Sequence, residues 1–245
     1  MDIGRHLTKA LEFRTAFTVS LFGFEIPVSE TVIVSWLAMA VLIVFSLIVT
    51  RSLREKPRGF QVLLEAGIGF LDSFSREQFG RRSRAFAPYI GTIFLFLLTV
   101  NIIPVISPIA AFGYEPPFTI KPPGRDINFT AALAILSILI VLFSGLKARG
   151  FKGWCVNLLH PVPLMLPFNL LEYIIRPLSL CLRLYGNILG GFIIMMLIEA
   201  VFPLVLPVAL SLYFDFLDGL IQALVFSFLT TLFIAEAIEV HGGVS

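Results

Sequence analysis

Twenty consecutive uncharged residues, Thr31 to Thr50, constrain this chain more than any other feature. A helix of about 20 apolar residues matches the ~30 Å hydrocarbon core of a bilayer. Across all 245 residues, 58% are hydrophobic and 14% are charged, whereas a typical soluble domain has about 25% charged residues. The sequence therefore predicts an all-α polytopic membrane protein.

Two further uncharged stretches predict spanning helices in the first part of the chain. The second span lies within Ala85–Tyr114, where Pro104 and Pro108 are expected to end the helix. The third span is Ile127–Leu146. Between the first two spans, the apolar residues of FQVLLEAGIGFLDSF (60–74) recur at loosely helical spacing, which is typical of an amphipathic helix on the membrane surface.

The distribution of basic residues predicts the orientation in the membrane. Basic clusters follow the first span, within Arg51–Arg84, and the third span, within residues 147–152, whereas the loop after the second span has only Lys121 and Arg125. The positive-inside rule places such clusters in the cytoplasm. We therefore expect the N-terminus outside and the C-terminus in the cytoplasm. The N-terminal sequence lacks the apolar core of a secretory signal, so a bacterial inner (plasma) membrane is the expected location.

The last third of the chain has a different pattern. Residues 153–235 contain only six charges in 83 residues. One helix is expected from about Phe168 to Phe202, and a second from about Val208 to Glu239, after a break at Pro203 and Pro207. Each would be about 50 Å long, which exceeds the ~30 Å core. We therefore expect two strongly tilted helices that form an antiparallel hairpin.

The polar residues of these two helices fall on defined faces. Arg183 and Asn187 are four residues apart and share one face. Asp215, Asp218 and Gln222 are spaced i, i+3 and i+7, which predicts a polar stripe on the last helix. Glu199 comes sixteen residues after Arg183 and points elsewhere, towards a different cavity.

Arg183 is the most costly of these residues. An arginine at mid-membrane costs between ~3 and ~15 kcal/mol, and a guanidinium group does not lose its proton in proteins. One reading is a static ion pair with Asp215 or Asp218 that locks the hairpin. The other is an ion path in which Arg183 meets a mobile carboxylate, since an intramembrane ionisable group indicates a functional site.

The segment around this arginine, RPLSLCLRLYGNILGG (176–191), closely resembles the signature of subunit a of the F-type ATP synthase. The segments NIIP (101–104), PPGRDINFTAALA (122–134) and HPVPLMLPFNLLEYIIRP (160–177) agree with that family as well. The resemblance covers almost the whole chain. It implies about five membrane-embedded helices and a surface helix, in a stator subunit without catalytic chemistry, cofactor or metal.

The resemblance also implies the mechanism and the partners. Two offset aqueous half-channels pass protons, or sodium ions, to and from carboxylates of the rotating c-ring, which couples ion flow to ATP synthesis. Arg183 matches the essential stator arginine, Asn187 the asparagine one turn later, and Gln222 the last-helix glutamine beside that arginine. Peripheral-stalk b subunits and the lipid bilayer are the other expected partners, and no nucleic acid is expected.

The sequence departs from the family pattern at two positions. Phe192 stands where many relatives have Glu or His, and Asp215 stands where relatives often have His or Glu. We therefore expect a partly relocated channel lining, formed by Asp215, Asp218 and Glu199.

Five more polar residues have local expectations. Asp126 and Asn128 match a family pattern, and are equally expected as helix caps. Glu172 and Arg176, one turn apart, predict a structural ion pair, and Glu236 is expected to be solvated.

The organisation is expected to be one membrane domain, 1–245. It comprises an external segment (1–29), three spanning helices with the cytoplasmic amphipathic helix (30–152), and the ion-channel hairpin (153–245). A secondary transporter that works by alternating access is the main alternative. Such folds show paired repeats with interrupted helices in both halves, whereas polar residues here concentrate in the last third. A purely structural anchor would not need Arg183.

Overall fold

The computed structural model describes residues 15–21, 24–51, 53, 56–106, 122–159, 166–201, 210 and 212–238. These residues form an N-terminal pair of strands followed by helices. The elements are β1 (Thr15–Leu21), β2 (Phe24–Ser29), α1 (Glu30–Arg51), α2 (Phe60–Phe79), α3 (Ser83–Ile106), α4 (Ile127–Leu159), α5 (Leu166–Val201) and α6 (Gly219–Ile238). Short 3₁₀ turns occupy Gly80–Arg82 and Pro123–Arg125, and a π-helical segment, Leu212–Asp218, precedes α6.

Five helices of the described chain are long and apolar enough to cross a membrane. They are Glu30–Arg51, Ser83–Ile103, Ile127–Phe151, Leu166–Met195 and Phe216–Ile238. The expected all-α polytopic membrane fold is thereby confirmed. The amphipathic segment is also a helix, α2, whereas its place on the membrane surface and the antiparallel hairpin remain predictions.

The first helix, α1, is apolar on all sides and contacts the rest of the protein along a narrow stripe. Its buried residues are Thr31, Val34 and Ala38, which follow i, i+3 and i+7 spacing. The other large side chains, such as Trp36 and Ile43, are exposed. A helix with so much apolar surface outside the protein is stable only in contact with lipid or with a partner helix.

α4 is longer than the sequence predicted. It continues beyond the expected end at Leu146 and reaches Leu159, but it is interrupted at Gly150. Gly150 has φ 71° and ψ 165°, which glycine adopts readily and other residues rarely. The expected spanning helix therefore ends near the basic residues that follow it, and a second short helix begins there.

The last helix also differs from its prediction. An α-helix was expected from about Val208, but Leu212–Asp218 is π-helical, and α6 begins only at Gly219. A π-helix closes i→i+5 hydrogen bonds and therefore has a wider turn than an α-helix. The expected i, i+3 spacing of Asp215 and Asp218 on one α-helical face is thus wrong. Segments of this kind occur frequently at functional sites.

The N-terminal strands were not predicted by the sequence analysis. β1 and β2 pair antiparallel, with Leu21 opposite Phe24 and Thr18 opposite Pro27. The segments TAFTVSL and FEIPVS are rich in β-branched and aromatic residues, which favour strands. This composition was the available signal for the strands.

The chain divides into two packing units, which we describe separately. Unit 1 comprises Met1–Ile48, Phe96–Phe129 and Tyr185–Leu220, and unit 2 comprises Val49–Leu95, Thr130–Leu184 and Ile221–Ser245. The core of unit 2 is an apolar cluster from four helices, whose members are Phe79, Ile90, Val141, Ile234 and Ile238. Beside it, the hydroxyl groups of Tyr89 and Ser137 lie 3.2 Å apart and hydrogen-bond.

In unit 1, α3 approaches the start of α6 closely at Gly219. The amide Nδ2 of Asn101 donates to the carbonyl oxygen of Gly219 over 3.3 Å, and Asn101 is buried. A Cβ placed on Gly219 would lie 2.8 Å from the Cβ of Asn101. Glycine is therefore the residue that permits this contact.

We expect Gly219→Ala to destabilise the protein by about 1–3 kcal/mol, the usual cost of overpacking a filled site. The measurement is the temperature at which the subunit in purified membranes loses its fold. Gly91→Ala is the matched control, because a Cβ at Gly91 would meet nothing within 4 Å. Equal melting temperatures for the two variants would contradict the prediction.

Candidate functional site

Arg183 is exposed on α5, next to residues that pack in the interior of unit 2. Its neighbours Leu180, Cys181 and Leu184 are buried. The Sγ of Cys181 is 3.4 Å from the Oγ1 of Thr130 on α4. Arg183 itself is exposed, and within unit 2 it has no carboxylate partner among the side chains that the structure describes. The guanidinium is thus left available to a group outside this unit.

The residues that follow Arg183 on α5 leave open space beside the helix. Asn187 is exposed. A Cβ built on Gly186 or on Gly190 would meet nothing within 4 Å. These two glycines, four residues apart, therefore do not serve close packing within the described chain.

Gln222 is buried on α6 in unit 2. It is 2% exposed, and Ser227, Thr230 and Thr231 on the same helix are also buried. The Oγ1 of Thr231 donates to the carbonyl oxygen of Ser227 over 2.8 Å. The Oγ atoms of Ser227 and Thr230 have no hydrogen-bond partner among described residues. Among the described residues of unit 2, Arg183 and Gln222 form no hydrogen bond. The contact between them that the family resemblance implies therefore remains a prediction.

The acidic residues expected to line a half-channel are only partly described. Asp218 ends the π-helical segment and is half-buried in unit 1. The backbones of Asp215 and Glu199 belong to the π-helical segment and to α5, but their side chains lie outside the described residues. Their assignment to the channel lining is therefore untested. Among the described residues, no three His, Cys, Asp or Glu side chains are grouped to hold a metal ion.

Unit 1 contains a buried cation that sequence reasoning missed. Arg125 is 4% exposed, and its guanidinium carbon lies 5.1 Å from the centre of the Phe192 ring. Burial lowers the pKa of Arg125, and the nearby carboxylates of Glu30 and Asp126 oppose that shift. Arginine remains protonated after such a change, so this is a fixed positive charge. Phe192 provides the π-face for it.

Three local expectations can be compared with the structure. The backbone N–H of Asn128 donates to Asp126 Oδ1 over 2.9 Å, which confirms Asp126 as a cap of α4. The ion pair of Arg176 with Glu172 is confirmed at 2.6 Å. Glu236 is exposed, as expected, and in addition its Oε1 lies 2.8 Å from Nη2 of the same arginine, a contact that the sequence did not predict.

Comparison with known proteins gives consistent matches. Residues 32–235 match the family described as ATP synthase A chain. ATP synthase subunit a of Gloeobacter violaceus is 36% identical over 98% of this chain and 92% of its own length. A protein of Propionigenium modestum named ATP synthase subunit a, sodium ion specific, is 35% identical over 92% of this chain and 79% of its own length. ATP synthase subunit a of Moorella thermoacetica is 32% identical over 88% and 94%, respectively.

We expect Phe192→Leu to lower the free energy of unfolding by about 1 kcal/mol more than the same substitution at an exposed phenylalanine. The reason is that it removes the ring beneath the Arg125 guanidinium. The measurement is thermal unfolding of the subunit in detergent-solubilised complex. Phe143→Leu is the control, since Phe143 on α4 is 66% exposed. A loss at Phe143 that equals or exceeds the loss at Phe192 would show that the contact contributes nothing.

Proposed function

The chain belongs to the ATP synthase A chain family and is an ion-translocating stator subunit of an F-type ATP synthase, and from this membership we propose the residues and partners that carry ion translocation. We assign the subunit no catalytic chemistry of its own. It provides two offset aqueous half-channels, which pass ions to and from carboxylates of the rotating c-ring. Peripheral-stalk b subunits are the other proposed protein partners.

Arg183 is the proposed electrostatic barrier between the half-channels. The supporting observation is its exposed position without a carboxylate partner in the described part of unit 2. A charge in that position is costly unless an anion or water faces it. At ~4 Å and an effective dielectric of about 20, attraction to a rotor carboxylate is of order 4 kcal/mol. One charge that crosses 100 mV gains about 2.3 kcal/mol, so the attraction and the driving force are comparable.

The open space beside Gly186 and Gly190 supports this face of α5 as the contact with the rotor. Small residues four apart allow the backbone of a neighbouring membrane helix to approach closely. Asn187 belongs to the same exposed stretch. A rotor helix in that position would bring its carboxylate near Arg183, and would have to pass without steric obstruction as the ring turns.

We propose a channel lining formed by residues of α5, of the π-helical segment and of α6. We assign Gln222 to the ion path because it matches the last-helix glutamine of the family, and its buried position on α6 is compatible with that role. We assign Asp215, Asp218 and Glu199 to the half-channel lining. The π-helical segment that contains both aspartates supports this assignment.

The subunit is a component of the ATP synthase complex and a multi-pass membrane protein. We propose that it is one membrane domain in the inner (plasma) membrane, with the N-terminus outside and the C-terminus in the cytoplasm. The supporting feature is the concentration of basic residues within 51–84 and 147–152.

Arg183→Ala should abolish ion-driven ATP synthesis in membranes that contain the assembled complex. Losing an attraction of order 4 kcal/mol corresponds to about a thousandfold loss of rate. ATP synthesis by Arg183→Lys should also be well below that of the unmodified complex, because lysine lacks the planar guanidinium group. Arg84→Ala, which removes another exposed arginine, is the control and should leave synthesis near normal. Ion-driven synthesis that persists in Arg183→Ala would exclude the proposal.

For the coupling ion we propose the proton, with sodium as the outcome that the measurement can reveal. ATP hydrolysis by the purified complex should then proceed without added sodium, and sodium should not protect the rotor carboxylate from a carbodiimide. Sodium-dependent hydrolysis together with sodium protection would assign sodium instead, as the printed name of the Propionigenium modestum relative states for that protein.

A further inference from the structure

Arg176 connects the two helices that carry the proposed ion pathway. Its Nη2 donates to Glu172 Oε1 on its own helix over 2.6 Å, and to Glu236 Oε1 on α6 over 2.8 Å. Its guanidinium carbon also lies 4.8 Å from the centre of the Phe233 ring on α6. The arginine side chain is 12% exposed, whereas the two carboxylates are 53% and 57% exposed. A largely buried cation therefore bridges α5 and α6 within unit 2.

Two other arginines bind the same end of α6. Arg149 of α4 donates to the carbonyl oxygen of Glu236 over 3.1 Å. Arg82 of the 3₁₀ turn before α3 donates to the carbonyl oxygen of Ile238 over 3.1 Å. The last carbonyl groups of a helix lack intrahelical partners and carry the negative end of its dipole. Cations from three separate elements thus fix the position of this helix end.

The bridge occurs where α5 is most easily bent. Pro177 lies inside α5, directly after Arg176. A proline within a helix cannot donate to the carbonyl oxygen four residues earlier, which here is that of Tyr173. The side chain of the same residue has a separate contact, because the hydroxyl oxygen of Tyr173 accepts from Trp154 Nε1 over 3.3 Å. Side-chain contacts therefore hold the part of α5 in which the backbone ladder is weakest.

The bridge has a defined relation to the pathway residues. Arg176 precedes Arg183 by seven residues, which is about 10 Å along the axis and within about 20° of the same face. Glu236 follows Gln222 by fourteen residues, or about 21 Å along α6. Any slide or rotation at the bridge would therefore move Arg183 relative to Gln222.

We propose that Arg176 and Glu236 are a positioning pair for ion translocation, which holds α5 and α6 in one register. The proposal rests on the function proposed above for Arg183 and Gln222. Arginine suits this role better than lysine, because its planar group can bond two carboxylates and stack on the Phe233 ring at once.

Glu172 provides a closely matched control for Glu236. Both carboxylates bond the same Nη2 atom and are similarly exposed, but only Glu236 belongs to the other helix. Replacing either one leaves Arg176 with one carboxylate. A general loss of charge would therefore affect both variants alike, whereas a loss of register would affect one.

The first experiment compares Glu236→Gln with Glu172→Gln in membranes that contain the complete ATP synthase. We expect Glu236→Gln to lower ion-driven ATP synthesis about tenfold, the scale of one charge-assisted hydrogen bond, and Glu172→Gln to stay within about twofold. We also measure passive conduction of protons and of sodium ions through membranes stripped of the catalytic sector. Conduction should differ from that of the unmodified complex in Glu236→Gln and be unchanged in Glu172→Gln. The amount of assembled subunit should be equal. Equal effects of the two variants on synthesis and conduction would overturn the proposal.

The second experiment exchanges the charges of Arg176 and Glu236. It tests the positioning role even if Glu236→Gln fails to assemble. Arg176→Glu combined with Glu236→Arg restores an ion pair between the helices. Arg176→Glu combined with Glu172→Arg has the same composition but restores a pair only within α5. We expect the first double variant to recover synthesis relative to Arg176→Glu alone, and the second not to. Failure of the first, or equal recovery by both, would exclude the positioning role. Arg183→Ala tests the underlying function separately, since it should be inactive whichever double variant recovers.

Discussion

A guanidinium group keeps its proton inside a membrane, and this constraint governs how the fold treats its arginines. Arg176 is bonded by two carboxylates and stacked on an aromatic ring. Arg125 is buried over Phe192, near two carboxylates. Arg149 and Arg82 bind the carbonyl groups at the end of α6. Arg183 differs from these arginines, because it is exposed and no described carboxylate of unit 2 pairs with it, and for this reason we propose that its partner charge lies on the rotor.

The sequence was sufficient for the features that depend on local chemistry. The uncharged run Thr31–Thr50 predicted α1, because only a helix satisfies its own backbone in lipid. The spacing of apolar residues predicted α2 in the same way. Asp126 as a cap and Glu172 as a partner of Arg176 also followed from short sequence separations.

The remaining features depend on contacts between residues that are distant in the sequence. Arg125 and Phe192 are 67 positions apart, and Arg176 and Glu236 are 60 apart, so no periodicity connects them. The π-helical segment before α6 does not follow from the spacing of polar residues, because that spacing assumes α-helical geometry. Family resemblance identified Arg183, but it did not indicate which residues hold the surrounding helices in place.

The narrow contact stripe of α1 determines which of its side chains can vary between related chains. Lipid tails are fluid and impose no shape on the side chains that they surround, so Trp36 and Ile43 need only remain apolar. Ala38 is 0% exposed, and a larger side chain there would force α1 away from its neighbours. Sequences of related chains should accordingly drift in side-chain shape around most of α1, while the position of Ala38 stays small. A set of aligned relatives with large residues at that position would contradict this expectation.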